Sequence, residues 1–247
     1  MKILWFSVGV DSFISGYLER ETIDKVLYIH IEDQHEDSMR FLHDFERLTG
    51  LKVEILTHPK YKSVDDIQTS QRFINGPGGA ACTRILKKEV RKTWEGQNPG
   101  GHTYIWGFDR DEQKRADNLI ESQPYKEHVF PLIDKYLSKE DCHAMLKRLG
   151  VERPLMYDLG YRNNNCIGCV KGGMWYWNKI REDFPEVFAL RAKREREIGH
   201  SCLREHKVID GKKVSRQLYL DELQPGRGRK EDEINQACGI LCELNLD

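Results

Sequence analysis

Short apolar runs alternate along the first 150 residues with longer stretches whose apolar positions follow a helical period. The runs at 2–6, 25–31, 52–57, 103–107 and 128–130 read as strands, and the segments 12–19, 37–49, 83–94, 112–121 and 138–149 as helices. Ser138-Lys139-Glu140-Asp141 has the residues of a capped helix start. Strands that alternate with helices imply a parallel sheet with helices on both faces, a Rossmann-like α/β fold. Ligands bind such sheets beyond the carboxyl ends of the strands. Loop 7–11, the polar run His30-Ile31-Glu32-Asp33 and the run 107–112 all fall at carboxyl ends, so they are expected to converge on one site.

After residue 149 the pattern changes. The stretch 151–161 carries a proline and no clear period, and it leads into Asn163-Asn164-Asn165-Cys166-Ile167-Gly168-Cys169. An aromatic helix at 173–182, a charged segment at 190–198, the turn-like Asp210-Gly211 and the flexible Pro225-Gly226-Arg227-Gly228-Arg229 follow. The expected division is an α/β domain over 1–150 and a mainly helical or irregular region over 151–247, packed at the sheet's carboxyl edge. No internal repeat or low-complexity tract is visible.

Composition narrows the classes. With 247 residues the chain can bury a large core, and with 32% charged residues but a formal net charge of -1 it has no global field toward nucleic acid or membrane. No apolar run approaches the roughly 20 residues a bilayer requires, and Met1-Lys2 opens on a strand rather than a signal peptide. A cytoplasmic protein without membrane contact is the expectation.

The segment Ser7-Val8-Gly9-Val10-Asp11-Ser12 joins the first strand to the first helix. A loop in that place aims its backbone N–H groups and the unpaired first-turn amides at one spot, where the helix dipole adds positive potential. Gly9 permits close approach of an anion, and the Ser7 and Ser12 hydroxyls can donate to phosphate oxygens. Ser/Gly turns after an N-terminal strand are common, so the loop alone is a weak sign. It lacks the lysine of a Walker loop and is not G-x-G-x-x-G, which sets aside P-loop NTPases and dinucleotide-binding Rossmann domains.

Three further segments extend the pattern: Ala81-Cys82-Thr83-Arg84-Ile85-Leu86-Lys87, Gly107-Phe108-Asp109-Arg110-Asp111-Glu112-Gln113-Lys114-Arg115, and Phe130-Pro131-Leu132. In order, they resemble the cysteine-then-lysine helix start, the G-x-R-x-x-E-x-x-R segment and the following P-L of the phosphoadenosine phosphosulfate (PAPS) reductase family. That family belongs to the PP-loop, adenine nucleotide alpha-hydrolase-like superfamily, whose S-G-G-x-D-S loop grips nucleotide phosphates. The resemblance covers roughly the first 150 residues. It implies an enzyme that binds ATP or a sulfonucleotide through Ser7, Gly9, Val10, Asp11 and Ser12, with His30, Gly107 and Arg110 around the ligand. Asp11 is expected to hold Mg²⁺ on the phosphates or to orient the loop, and Lys87, Arg110 and Arg115 to neutralise phosphate or departing pyrophosphate. The plain alternative for Lys87 and Arg115 is a solvated helix face, and Glu112 is expected to cap or to pair with Arg115 rather than do acid–base work.

Two departures stand out. Val8 takes the place of the loop's first glycine, which puts one close approach to phosphate in doubt. The chain also lacks the E-C-G-L-H tail with the catalytic cysteine of sulfonucleotide reductases. It is more similar to the phage and prophage variant branch, with N-C-x-G-C and a C-G-x-x-C ending, for which the resemblance implies the fold and leaves the substrate open.

Of seven cysteines, Cys142 reads as a small core residue on its helix. Cys166 and Cys169 form C-x-x-C, and Cys238 and Cys242 a second close pair. Two pairs in a reducing compartment favour metal over disulfides, either structural Zn²⁺ or a [4Fe–4S] cluster, with all four as ligands. A redox pair or idle thiols is the simpler reading. Cys82 opens a helix, where the dipole lowers a thiol's pKa, so it is a candidate fourth ligand or a reactive thiol; Cys202, near His200 and His206, is a weaker one. Trp175, Tyr176 and Trp177 are consecutive and cannot share one helix face.

The expected function is therefore a PP-loop transferase that cleaves the α–β phosphate bond of an adenine nucleotide to adenylate an acceptor, a small molecule or a nucleic acid, with sulfur transfer if the cysteines hold a cluster. A sulfonucleotide reductase and a non-catalytic nucleotide-binding or nucleic-acid-associated module are the alternatives, and self-association as a homodimer stays open.

Overall fold

The computed structural model describes residues 1–76, 79–209 and 212–232. The chain runs β1 (Lys2–Trp5), α1 (Val10–Glu19), β2 (Lys25–Ile29), α2 (Asp37–Thr49), β3 (Val53–Leu56) and α3 (Val64–Gln71). A two-residue antiparallel bridge, β4 (Asn75–Gly76) with β5 (Gly79–Ala80), precedes a π-helical segment, Thr83–Glu89, that continues as α4 (Val90–Gln97). Next come β6 (Thr103–Ile105), α5 (Gln113–Ser122), β7 (Glu127–Val129), α6 (Pro131–Asp134) and α7 (Lys139–Arg148). Helices α8 (Leu155–Asp158), α9 (Met174–Asp183) and α10 (Pro185–Ile198) follow, then strands β8 (Leu203–Ile209) and β9 (Lys212–Leu218).

Five strands form one parallel sheet in the order β3-β2-β1-β6-β7. The fold is thus the expected Rossmann-like α/β architecture. The chain builds outward from β1 to β3 and then returns to the other side of β1, so the strand order reverses between β1 and β6. That switch point opens a crevice at the carboxyl ends of the two strands.

Alternation along β1 decides which layer each helix joins. Leu4 and Phe6 pack on one face with Phe13 and Ile14 of α1, Phe41 and Phe45 of α2, and Leu146 of α7. Ile3 and Trp5 pack on the other with Val90 and Trp94 of α4 and Leu119 of α5. Cys142 lies fully buried in the first of these cores, as its helical spacing implies. A Cβ on Gly16 would come within 2.5 Å of Leu4 Cδ2, so α1 rests on the sheet at a distance only glycine allows.

The strands start within one residue of the apolar runs and end one or two residues before them, because the runs continue into loops whose apolar side chains are still buried: Phe6, Ile31 and Trp106 are buried beyond the last ladder residue. Helix α3 lies in a stretch to which the apolar pattern assigns no element, and its start is a capping box between Ser63 and Asp66. The segment 83–94 begins as a π-helix rather than an α-helix.

The C-terminal region is more regular than expected. Helix α10 starts at Pro185, where a proline has no N–H to lose, rather than at 190. The antiparallel hairpin β8–β9 corrects the helical-or-irregular expectation; its register pairs Leu203 with Leu218, both buried. Those two leucines join Trp177 and Ile180 of α9 in a separate core. Of the three consecutive aromatics Trp177 is fully buried, Tyr176 is buried and Trp175 is half-buried beneath Lys230. Asp210, Gly211, Cys238 and Cys242 lie outside the described residues. No helix among the described residues is long and apolar enough to cross a membrane.

Candidate functional site

A cleft opens at the carboxyl ends of β1, β2 and β6, at the switch point. Its floor is the loop between β1 and α1. Gly9 is the N-cap residue of α1 in extended conformation and supplies no capping side chain, so past Val10, whose N–H is taken by Tyr157, the first-turn N–H groups have no side-chain cap at the cleft. Ser7 and Ser12 are joined, Ser7 Oγ donating to Ser12 Oγ at 2.9 Å, and Ser12 Oγ donates to the Gly9 carbonyl at 2.9 Å. Of the loop residues the sequence pointed to, Ser7, Gly9, Asp11 and Ser12 line the cleft.

Val8 and Val10 do not. Val8 adopts φ +53°, a left-handed conformation that a β-branched residue rarely takes, and its fully buried side chain sits in the core of α1 and α2. It therefore crowds no ligand, which removes the steric doubt attached to its place in the loop. Val10 is also core, and its N–H donates to the Tyr157 hydroxyl at 3.3 Å.

Charge gathers at the mouth of α1. Asp11 Oδ2 lies 3.1 Å from Lys139 Nζ, which also donates to Asn163 Oδ1 at 2.8 Å. Burial pushes the Asp11 carboxyl up to about 6; Lys139 opposes the shift, and Asp109 and Glu112 add to it. Burial pulls the Lys139 ammonium down, but Asp11, Tyr157 and Glu112 outweigh it and hold the group above its ordinary value. Asp11 Oδ1 is buried without a partner among the described residues. A hard divalent cation shared with an anionic ligand is one group that would satisfy it.

Lys87 and Arg115 reach the cleft from the opposite wall. Arg115 pairs with Glu112 Oε1 at 2.6 Å and lies 4.2 Å over the Phe108 ring, while Glu112 also closes a capping box with Asp109. Gly107 lines the cleft for a steric reason: a Cβ there would sit 2.6 Å from Ser12 Cα and N, so only glycine lets the end of β6 meet the first turn of α1.

Arg110 does not line the cleft: its guanidinium lies 5.1 Å over the Tyr136 ring and 3.9 Å from Asp141. His30 stands one step back, its Nδ1 at 3.1 Å from the hydroxyl of Tyr28, which itself lines the cleft.

Lys139, Tyr157, Tyr28, Gln34 and the triplet Asn163-Asn164-Asn165 complete the walls and were not singled out as ligands from the sequence. Lys139 was legible only as the first residue of a capped helix, and its partner Asp11 is far away in the chain. The asparagine triplet was the one available signal: three amides in a row before C-x-x-C have no secondary-structure reason to be there.

Cys82, Cys166 and Cys169 line a second, much smaller cavity together with Thr83 and Lys87, so Lys87 is common to both cavities. Tyr176 pins the C-x-x-C turn: its hydroxyl accepts from Cys169 N–H at 2.9 Å and donates to the Cys166 carbonyl at 3.1 Å. Gly168 takes φ +71°, and a Cβ there would meet Val187 at 2.8 Å. Asp33 clasps the same turn to the sheet, accepting from Ile167 N–H through its carbonyl at 2.8 Å while its carboxylate takes Val64 N–H and the buried guanidinium of Arg191. Among the described residues no three His, Cys, Asp or Glu side chains are grouped to hold a metal ion. Cys202 is placed elsewhere, its thiol held protonated by burial and by Glu195. Compared with known protein families and with curated protein sequences, the chain matches none.

Proposed function

We propose that the chain is a PP-loop enzyme of the PAPS reductase type that binds an adenine nucleotide in the cleft at the end of β1. The observation that carries this reading is the convergence of Ser7, Gly9, Asp11, Ser12, Lys87, Arg115 and Lys139 on one cleft at the switch point of a parallel sheet. A helix N-terminus with two hydroxyls and three cations is built for a polyphosphate. The reaction that follows is cleavage between the α- and β-phosphates with adenylation of an acceptor, in which the protein's part is positioning and neutralising the departing pyrophosphate. Asp11, with one buried oxygen unpartnered, is the residue to hold Mg²⁺.

The three thiols Cys82, Cys166 and Cys169 line one cavity but are not grouped as metal ligands by themselves, so a zinc or iron–sulfur site would need Cys238 and Cys242, which lie outside the described residues. The cavity's sharing of Lys87 with the cleft favours sulfur transfer as the chemistry of the acceptor, and it also keeps reduction of a sulfonucleotide as a second reading. Incubation with Mg²⁺–ATP and with PAPS separates the two: pyrophosphate and AMP released from ATP support adenylation, sulfite released from PAPS supports reduction, and binding of neither nucleotide removes both.

A further inference from the structure

A buried polar atom without a protein partner is satisfied by a water or a ligand group, since leaving it bare costs free energy; where such an atom belongs to a residue that lines a ligand-sized cleft, the ligand is a candidate partner. Around the cleft these are Trp5 Nε1, Asp11 Oδ1 and Asn164 Oδ1. Asn164 is the informative one. It comes from the C-terminal region, is only 6% exposed, and lines the cleft beside the phosphate-loop residues.

Its amide orientation follows from its partners. Nδ2 donates to the Val8 carbonyl at 2.8 Å and to Ser38 Oγ at 3.0 Å. A carbonyl accepts and never donates, so the nitrogen must face Val8, both of its hydrogens are committed, and the oxygen is left as an acceptor. A hydrogen-bond donor on what fills the cleft would satisfy that oxygen.

Ionised phosphates and the ring nitrogens of adenine only accept. The donors of an adenine nucleotide are the two ribose hydroxyls, next to the phosphates, and the exocyclic amine, at the far end of the molecule. Asn164 grips the phosphate loop itself through Val8, so the near donor is the sugar.

We infer that Asn164 Oδ1 accepts a hydrogen bond from a ribose hydroxyl of the bound nucleotide, which makes this residue the site's discriminator between ribonucleotides and sugar-modified ones. The inference rests on the nucleotide reading above. It also gives the strained Val8 a purpose, because the turn at φ +53° presents the carbonyl that fixes the amide.

Calorimetric titrations of ATP, 2′-deoxy-ATP, 3′-deoxy-ATP and inorganic triphosphate into the full chain and into Asn164→Ala test it. In the unaltered protein, removal of one of the two hydroxyls should weaken binding about tenfold, since a buried acceptor is left without its donor. In Asn164→Ala that penalty should vanish, ATP and the deoxynucleotide binding equally. An unaltered protein indifferent to both hydroxyls overturns the inference, whether or not the variant folds. So does a variant that keeps the full penalty, or one that loses ATP and triphosphate affinity by the same factor, which would make Asn164 a latch on the loop and nothing more. Absence of ATP binding to the unaltered protein, with or without binding of triphosphate, overturns the nucleotide reading together with it; ATP binding that is indifferent to both hydroxyls overturns only the sugar contact.

Discussion

Val8 shows how a single position sets two demands against each other. Its left-handed backbone costs about 1–2 kcal/mol, which glycine would relieve. Its buried side chain contributes about 1.5–3 kcal/mol, and glycine adds about 0.5–1 kcal/mol of chain entropy to the unfolded state. The losses exceed the relief, so Val8→Gly should lower stability by about 1–2 kcal/mol in urea unfolding. An equal or higher stability would mean that the turn is more strained than its packing is worth. Gly107→Ala forces a Cβ onto the backbone of Ser12, and the first turn of α1 must move to admit it. We expect about 3 kcal/mol of destabilisation and loss of ligand binding, checked by unfolding and by titration. Asp11 gives the site a pH dependence. Its carboxyl, raised to about 6 in the fold against 3.8 in an exposed chain, is protonated and useless as a cation ligand below that pH. Affinity for Mg²⁺–nucleotide, taken as the ratio of the unaltered protein to Asp11→Asn so that the nucleotide's own titration cancels, should rise as pH passes from 5 through about 6 to 7.5. The same shift has the opposite sign for stability: the folded state binds the proton more tightly, so Asp11's contribution is present below about 4 and is lost as pH rises through about 6. A flat ratio would place the cation elsewhere.

At the scale of elements, much of the site could be read from the chain because strand–loop–helix geometry is local. The apolar run that ends at Phe6 and the serines around Gly9 each report a neighbour within a few residues, and Gly107, whose neighbour is Ser12, was legible through its place after a strand; the fold brings Ser7, Gly9, Asp11, Ser12 and Gly107 to one cleft. Lys139 and Asn164 could not be read this way, since what makes them part of the site is a contact across more than a hundred residues of chain. The β8–β9 hairpin was hidden for another reason: its alternation of polar and apolar residues is interrupted by charged pairs such as Glu205 with Arg216, which belong to the hairpin's own ladder. The clasp between α10 and the sheet has the same long-range origin. Arg191 is 3% exposed and reaches Asp33 from far down the chain, whereas Arg196, on the same helix, meets Asp221 and Glu222 at the surface. Removing one partner of a buried pair leaves an uncompensated charge, so Arg191→Met should cost about 2–4 kcal/mol, while Arg196→Met should leave the unfolding midpoint nearly unmoved. Equal effects would show that the buried Arg191–Asp33 pair is worth no more than a surface pair.

Viewed as a whole, the molecule is a parallel sheet whose switch point is covered from the far end of the chain. Tyr157, Asn163 and Asn164 touch the loop or its lysine, and the C-x-x-C turn stands beside Lys87. The central claim is that this covered cleft takes the phosphates of an adenine nucleotide on the N-terminus of α1. The most direct test is a calorimetric titration of Mg²⁺–ATP into the unaltered protein and into Lys139→Met, which removes the cation paired with Asp11 and leaves a bare carboxylate facing the phosphates. The account predicts one nucleotide bound per chain and affinity at least about tenfold weaker in the variant, the size of one lost charge-assisted contact. No binding to the unaltered protein, or equal affinity in both, would contradict it.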